Sequence, residues 1–248
     1  MEQRDTRASE RIIVALDVDS EQKARSIIDE LGTSVGAYKI GLQLFTAAGP
    51  NFVRWATESG HRIFLDLKFH DIPQTVAMAG VEAARLGVWM FNVHALGGSE
   101  MMKSTVAEVI DTCEREKISK PNIIAVTILT SSNAGDLTEV GIQQSVDLAV
   151  ENLARVTAKS GLDGVVASAH EANAIKKTAG NDKFFVVTPG IRPASGTNDD
   201  QKRVMTPSEA IRNGSDYLVI GRPITGAENK QAAVDAIISE INASFSEV

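Results

Sequence analysis

The sequence predicts a single-domain α/β protein in which eight parallel strands alternate with helices and close into a (β/α)8 TIM barrel. Short apolar runs rich in strand-forming residues recur along the chain, and segments with helical spacing of apolar residues lie between them. No Gly/Ser-rich linker or change in composition divides the 248 residues. Such alternation is typical of parallel strands with crossover helices. Eight units in about 250 residues fit a closed barrel.

The apolar runs begin after a polar stretch of mixed charge at residues 1–10, which is predicted to be a loosely held tail. The barrel is therefore predicted over residues 11–248. In chain order, the predicted strands are Arg11–Val18, Ala37–Leu42, Arg62–Lys68, Met90–Ala95, Asn122–Leu129, Gly164–Ala169, Phe184–Gly190 and Tyr217–Gly221.

The helices between these strands are indicated by apolar spacing and by capping signals. Ala24, Ile27, Ile28 and Leu31 lie on one helical face. Near the C-terminus, the segment Thr206-Pro207-Ser208-Glu209 combines a capping threonine, a proline at the first helical position and a glutamate three residues after the cap. The polar segment Ile191–Arg203 follows the seventh strand and is predicted to be a mobile lid.

A doubly wound open sheet is the competing architecture, because alternation alone is compatible with both folds. No G-x-G-x-x-G follows the first predicted strand, and the chain has no Walker A motif. The usual reasons to prefer the open sheet are therefore missing.

Composition narrows the classes of function. The formal net charge of −7 argues against nucleic-acid binding, although it leaves room for a local cationic pocket. Cys113 is the only cysteine, so neither a disulfide framework nor a thiolate zinc site is expected. Nothing at the N-terminus resembles a signal peptide, and no apolar run approaches the length of a membrane span. We therefore expect a cytoplasmic protein without a membrane partner.

Polar side chains gather where the predicted strands end, and in a barrel of this kind the carboxyl ends of the strands carry the chemistry. Strand alternation puts Asp66 and Lys68 on the same face, and burying such a pair is expensive. A purely structural ion pair is one interpretation, but two lysines with several aspartates at one mouth favour an active site. The polar and glycine positions expected at this mouth are Asp17, Lys39, Asp66, Lys68, His94, Thr127, Thr130, Ser168, Thr188, Arg192, Gly221 and Arg222.

The loops after the seventh and eighth strands predict a phosphate site. These loops recurrently bind phosphate in such barrels, and here they supply Arg192, Gln201, Gly221 and Arg222. Arg222 alone could simply cap the barrel rim. One arginine at each of the two loops, together with Gly221, favours a phosphorylated small molecule as the ligand.

The stretch Asp66-Leu67-Lys68-Phe69-His70-Asp71-Ile72-Pro73-Gln74-Thr75 closely resembles the D-x-K-x-x-D-I signature of the orotidine 5′-phosphate decarboxylase family in its bacterial form. The resemblance extends along the barrel through further landmarks. They are Ile13-Val14-Ala15-Leu16-Asp17, Lys39-Ile40-Gly41, Val93-His94-Ala95, Leu129-Thr130-Ser131, Pro189-Gly190-Ile191-Arg192-Pro193, Asp200-Gln201 and Ile220-Gly221-Arg222.

The resemblance implies a carboxy-lyase that converts orotidine 5′-monophosphate to UMP, the last step of de novo pyrimidine nucleotide synthesis, without a metal or an organic cofactor. It implies a carbanion at C6 that Lys68 stabilises and protonates. Asp66 would hold Lys68 in place and keep it charged. Lys39 and Asp71 would complete a network of alternating charges.

The same resemblance implies how the substrate is bound. Arg222, Gln201 and Gly221 would hold the phosphate, while Asp17, Lys39, Asp71 and Thr75 would hold the ribose. Thr130 would face the pyrimidine, and Arg192 would close over the ligand with its loop. The remaining substrate-binding positions implied within the signature are Leu67, Phe69, His70, Ile72, Pro73 and Gln74. Family members are homodimers, in which Asp71, Ile72 and Thr75 reach across the interface.

Two other functions remain open from the residues. One is a decarboxylase or aldolase of the same superfamily that acts on a ketose phosphate through bound Mg²⁺. Those relatives carry an acidic metal ligand at the position of Lys39, and a lysine there would repel a divalent ion. The other is a catalytically inactive barrel that binds a nucleotide, although such a protein would gain nothing from an ammonium aimed at C6.

Overall fold

A computed structural model describes residues 7–193 and 205–246 and contains one closed barrel of eight parallel strands in sequential order. The barrel closes because β8 pairs with β1, with Val219 opposite Ile13. This closure confirms the predicted architecture and excludes the open sheet. The strands are β1 Ile12–Ala15, β2 Ala37–Gly41, β3 Ile63–Phe69, β4 Met90–His94, β5 Asn122–Val126, β6 Gly164–Val166, β7 Phe185–Thr188 and β8 Tyr217–Ile220.

Helices connect the strands on the outside of the barrel. They are α1 Glu21–Leu31, α2 Leu42–Glu58, α3 Pro73–Arg85, α4 Gly98–Glu116, α5 Ala134–Glu139, α6 Val146–Lys159, α7 Ala172–Ala179, α8 Pro207–Arg212, α9 Arg222–Thr225 and α10 Lys230–Ser246. The capping box predicted at α8 is present, because the Thr206 side chain accepts the Glu209 N–H and the Glu209 carboxylate accepts the Thr206 N–H at 2.9 Å. Among the described residues, no helix is long and apolar enough to cross a bilayer.

Most strands are shorter than the apolar runs that predicted them. The run that starts at Asn122 continues to Leu129, but β5 ends at Val126. Likewise Asp17 lies two residues beyond β1. The difference arises at the carboxyl ends of the strands, where the chain turns into the loops of the mouth shortly after its last backbone contact with the neighbouring strand, such as Thr127 N–H to the Val166 carbonyl at 3.2 Å. The predicted strand ends therefore become mouth loops.

The strands separate two apolar layers. Alternate residues point into the barrel, where Ile13, Phe64, Met90 and Val219 belong to an inner cluster. Their neighbours along each strand point outward and pack against the helices. The residue two positions further along each strand therefore also points into the barrel, and it lies closer to the mouth.

The N-terminal boundary differs slightly from the expected one. Ala8–Arg11 forms a short 3-10 turn, and Ala8 is buried within the outer apolar layer. Packing thus begins before residue 11. The predicted lid lies largely outside the described residues, since only its first residues, up to Pro193, are described.

Candidate active site

Four charged side chains meet at the carboxyl end of the barrel. Lys39 on β2 lies between two carboxylates, with its Nζ 2.8 Å from Asp17 Oδ1 and 3.4 Å from Asp66 Oδ2. Lys68 Nζ donates to the other oxygen of Asp66, Oδ1, at 2.7 Å. The order Asp17–Lys39–Asp66–Lys68 therefore alternates in sign, and each charge has an opposite neighbour.

Burial and charge compete in setting the pKa values of this network. Burial by itself raises the pKa of Asp66, but attraction to Lys39 and Lys68 outweighs it, so the pKa of Asp66 is lowered overall. Burial likewise favours neutral Lys39, but Asp66 and Asp17 outweigh that effect and raise the pKa of Lys39. The inner pair therefore stays ionised around neutral pH.

The backbone of β3 is irregular where it carries the network. Leu65 pairs with Phe91 and Phe69 with Val93, so three residues of β3 stand opposite Asn92 alone. Within this bulge Lys68 has a φ of 52°. A left-handed conformation costs a residue other than glycine about 1–2 kcal/mol, and such strain persists where surrounding contacts enforce it.

Asn92 provides the contacts that enforce this conformation. Its side chain is fully buried on β4. Its Oδ1 accepts the Lys68 backbone N–H at 2.8 Å, and its Nδ2 donates to Asp66 Oδ1 at 2.7 Å. Asn92 is not among the site residues expected from the sequence. A usable signal was its place in the middle of a buried apolar strand, on the face shared with Met90 and His94.

The network forms one wall of a cavity of about 180 Å³ at the mouth. Lys39, Asp66 and Lys68 line this charged wall. The opposite, apolar wall comes from β5 to β7 and the loops after them, and Thr130 adds a hydroxyl at its rim. The residues of the apolar wall are Val126, Ile128, Leu129, Val166 and Pro189.

The signature stretch divides between the core and the surface. Leu67 and Phe69 pack against the outer apolar layer, and Phe69 lies against the Phe91 ring with centroids 6.0 Å apart. Any ligand contact from these two would therefore involve backbone atoms. The residues after β3 are the polar, exposed part of the stretch. His70, Asp71, Ile72, Gln74 and Thr75 are exposed, and Pro73 is half-buried.

Two features of that exposed part stand out. The Asp71 carboxylate accepts the Ile72 N–H at 2.6 Å, and Asp71 makes no ion pair with any other residue that the structure describes. Ile72 leaves 66% of its surface in solvent, although it is a large apolar side chain. Both lie at the start of α3, beside the mouth.

His70 stacks on His94, with ring centroids 5.3 Å apart. Burial lowers the pKa of His94, and repulsion from His70 and Lys68 adds to this effect. His94 Nδ1 is buried and finds no hydrogen-bond partner within residues 7–193 and 205–246. The lowered pKa keeps His94 neutral around pH 7, so His94 adds no positive charge beside Lys68, and its buried ring fits a supporting role.

The loops predicted to bind phosphate flank the same mouth. A methyl group added at Gly221 would lie 3.8 Å from Asp17 Oδ2, which places this glycine beside the charged network. Arg222 follows it and is exposed at the start of α9, and Arg192 follows β7 and is half-buried. Gln201 lies outside the described residues.

Three hydroxyls expected at the mouth are used elsewhere. Thr127 donates to the Val166 carbonyl, Thr188 shares a hydrogen bond with Ser215, and Ser168 caps the 3-10 turn Ala169–Glu171. All three are buried and none lines the cavity. The expectation that these three hydroxyls face the mouth was wrong, because each already has a protein partner: a backbone carbonyl for Thr127, a serine hydroxyl for Thr188 and the following turn for Ser168.

No cluster of three or more His, Cys, Asp or Glu side chains suited to a metal ion occurs in the described part of the chain. The position between Asp17 and Asp66, where a cation would be attracted, is taken by the Lys39 ammonium. These residues suit a bound anion or a neutral polar ligand rather than a divalent cation.

Comparison with known proteins agrees with this geometry. A sequence model of the orotidine 5′-phosphate decarboxylase / HUMPS family matches residues 10–237. Orotidine 5′-phosphate decarboxylase from Geotalea daltonii is 52% identical over 234 residues, which cover 94% of this chain and 97% of that protein. The enzyme of the same name from Geobacter sulfurreducens is 51% identical over 236 residues, covering 95% of this chain and 98% of that one.

A solved structure extends the likeness to three dimensions. The crystal structure of orotidine 5′-phosphate decarboxylase from Lactobacillus acidophilus superposes with a TM-score of 0.82 at 40% identity, over 93% of this chain and 98% of that one. An uncharacterized conserved protein from Geobacillus kaustophilus gives a TM-score of 0.81 at 36% identity, over 93% of this chain and all of that one.

Proposed function

The chain belongs to the orotidine 5′-phosphate decarboxylase / HUMPS family, and from this membership we propose that it decarboxylates orotidine 5′-monophosphate to UMP in pyrimidine nucleotide synthesis. The observation that carries the proposal is the Lys68 ammonium, paired with Asp66 and presented at the cavity opposite an apolar wall. This arrangement suits a planar ring on which one atom becomes negatively charged.

The chemistry follows from the position of that charge. The bond between C6 and the carboxylate breaks, CO₂ leaves, and the electron pair remains on C6 in the plane of the ring, where the π system does not delocalise it. Lys68 stabilises this pair electrostatically and then transfers its Nζ proton to C6. The neutral amine regains a proton from water. Asp66 keeps the ammonium oriented and charged before the transfer.

One ammonium supplies only part of the required stabilisation. A single well-placed donor contributes about 3–4 kcal/mol, whereas the largest enzymatic accelerations need about 23 kcal/mol. Binding of the phosphate and ribose, remote from C6, supplies more. In this proposal Arg222, Gly221 and Gln201 bind the phosphate, while Asp17 and Lys39 bind the ribose. Arg192 closes over the ligand.

Replacing Arg222 tests the phosphate site. Charge-assisted hydrogen bonds contribute about 1.5–3 kcal/mol each, so Arg222→Ala is expected to raise KM by about 10–100-fold, with a smaller change in kcat. Arg115→Ala, which removes an exposed arginine of α4 paired with Asp111, is the matched control. A normal KM for Arg222→Ala would place the phosphate elsewhere.

The site is further proposed to be completed by a second copy of the chain. Asp71, Ile72 and Thr75 of one subunit would enter the mouth of the other, bringing a carboxylate and a hydroxyl to the ribose. The exposed apolar surface of Ile72 and the absence of an ion pair for Asp71 among the described residues support this arrangement.

Mixing inactive variants tests the shared site. Lys68→Ala and Asp71→Ala homodimers should each be inactive, but a hybrid dimer contains one site with both residues intact. After subunit exchange, an equimolar mixture should recover about a quarter of the wild-type kcat per site, since half of the dimers are hybrids with one intact site out of two. If hybrid formation is shown by mass spectrometry and activity stays absent, Asp71 acts within its own subunit.

An absorbance assay with orotidine 5′-monophosphate, run with and without EDTA, tests the activity itself. Turnover that is unaffected by EDTA is the expected result. Turnover that requires added Mg²⁺ would favour the ketose-phosphate type of chemistry. Tight UMP binding without any turnover would indicate a nucleotide-binding barrel.

A further inference from the structure

We propose that Asn92 is a positioning residue of this site: its side-chain amide holds the Lys68 backbone and the Asp66 carboxylate together and thereby sets where the Lys68 ammonium lies. The proposal rests on the proposed function, because it concerns the group that protonates C6. Asn92 itself is not among the residues that line the cavity. It would act only through its two neighbours.

The pairing between β3 and β4 is broken where β3 carries Lys68. Regular pairing between β3 and β4 stops after Leu65 and resumes at Phe69. The Lys68 N–H therefore loses the partner that an uninterrupted ladder would give it. Asn92 Oδ1 accepts this N–H at 2.8 Å, so a side chain replaces the missing strand contact.

Both partners of Asn92 require the same orientation of its side-chain amide. A backbone N–H can only donate, and an ionised carboxylate can only accept. The Asn92 oxygen must therefore face Lys68 and its nitrogen must face Asp66, as observed. One side chain satisfies both contacts without ambiguity.

The carboxylate oxygen that Asn92 contacts also holds the Lys68 ammonium. Asp66 Oδ1 accepts from Asn92 Nδ2 and from Lys68 Nζ, both at 2.7 Å. Lys68 is thus fixed at two points, its backbone N–H and its Nζ, and both points connect to Asn92. Because Asn92 is fully buried, water does not readily replace the amide when it is removed.

Kinetics of Asn92→Ala separate positioning from binding. We expect kcat to fall about 100-fold while the dissociation constant of UMP stays within threefold, because the phosphate and ribose contacts lie elsewhere. Asn122→Ala is the matched control, since Asn122 is also a strand asparagine whose side-chain amide forms a hydrogen bond, to the Trp89 carbonyl at 3.2 Å, but at the other end of the barrel. A kcat within threefold of wild type for Asn92→Ala would overturn the proposal.

Asn92→Asp keeps the shape of the side chain, and it is the variant to measure if Asn92→Ala does not fold. While it is ionised, the aspartate still accepts the Lys68 N–H but repels Asp66 instead of donating to it; kcat is therefore compared at alkaline pH, where two neighbouring carboxylates do not share a proton. A kcat reduced at least tenfold with UMP binding within tenfold is expected. Wild-type kcat in this variant would overturn the proposal.

Amide hydrogen exchange at Lys68 reports the geometry without any reaction. Exchange should be at least tenfold faster in Asn92→Ala than in wild type, and should stay slow in Asn92→Asp, which retains an acceptor. Unchanged exchange in Asn92→Ala would overturn the positioning role. If the wild-type protein does not turn over orotidine 5′-monophosphate, the proposed function fails, while this measurement still decides whether Asn92 holds Lys68.

Discussion

The two walls of the cavity are built from the same barrel but follow opposite rules. On the charged wall, β2 and β3 present Lys39, Asp66 and Lys68, and every charge is paired with another side chain. On the apolar wall, β5 to β7 present Val126 and Val166, while neighbouring Thr127 turns its hydroxyl to a backbone carbonyl. The protein thus concentrates charge on one side and removes polar groups from the other.

This difference has an electrostatic consequence. An ammonium that faces apolar side chains instead of water interacts more strongly with a negative charge placed between the walls. The pairing with Asp66 keeps Lys68 oriented, and the apolar wall lowers the local dielectric. Substitutions in the charged wall should therefore mainly lower kcat, whereas those in the apolar wall should mainly raise KM.

The largest effect is expected on the charged wall, at Lys68. Lys68→Ala removes both the stabilising charge and the proton donor, so kcat should fall by at least about 10⁴-fold, or about 5.5 kcal/mol of transition-state stabilisation. The dissociation constant of UMP should change by less than tenfold. Steady-state kinetics and calorimetric titration with UMP measure the two quantities.

Lys120→Ala is the control for this variant, because Lys120 is also ion-paired, with Asp163 at 2.9 Å, but at the opposite end of the barrel. It should leave both quantities unchanged. An unaltered kcat in Lys68→Ala would remove the proposed proton donor and with it the functional distinction between the walls.

A smaller effect is expected for Asp66→Asn, on the free energy of unfolding and on how that free energy depends on pH. The pKa of Asp66 is lowered in the folded protein, so ionised Asp66 stabilises the fold above its unfolded pKa of about 3.9. Asp66→Asn should lower the free energy of unfolding at pH 7 by about 1.5–3 kcal/mol, the usual contribution of hydrogen bonds to a charged group. Urea unfolding should show this difference shrinking as the pH falls through the folded pKa, where wild-type Asp66 also becomes neutral.

An exposed carboxylate gives the contrast. Glu30 pairs with Lys230 at the surface, and its pKa is also lowered. Any effect of Glu30→Gln on stability should disappear in 1 M salt, since exposed charges are screened at that ionic strength. The effect of Asp66→Asn should persist. A stability difference for Asp66→Asn that is equal at pH 3 and pH 7 would contradict the role of charge.

The contrast between the walls also explains what the sequence could predict. The barrel follows from eight β-rich runs alternating with helical segments, which is a local signal repeated along the chain. Asp66 and Lys68 could be selected because charged residues at the end of an apolar strand are costly unless they are used. Their shared side of β3 was inferred from regular alternation, although the structure achieves it through a bulge with Lys68 at positive φ.

Asn92 and Thr188 have contacts that could not be predicted from the sequence. Asn92 acts through contacts to another strand, and the bulge that creates those contacts depends on pairing between β3 and β4. Thr188 was expected at the mouth, but it bonds to Ser215, which is distant in sequence. A polar residue in a strand signals that a partner exists, while the identity of the partner is set by the three-dimensional arrangement of the strands.

The smallest effect is expected on the apolar wall, at Leu129, which lines the cavity and is 45% exposed. Leu129→Ala removes apolar surface that a bound pyrimidine would cover, and burial of about 40 Å² is equivalent to about 1 kcal/mol. KM should therefore rise about fivefold with kcat within twofold, measured by steady-state kinetics. Leu148→Ala changes a leucine of similar exposure (47%) on α6 that does not line the cavity, and should leave KM unchanged. If Leu129→Ala instead lowered kcat as far as Lys68→Ala does, with an unchanged KM, the apolar wall would take part in the chemical step and the division between the two walls would be wrong.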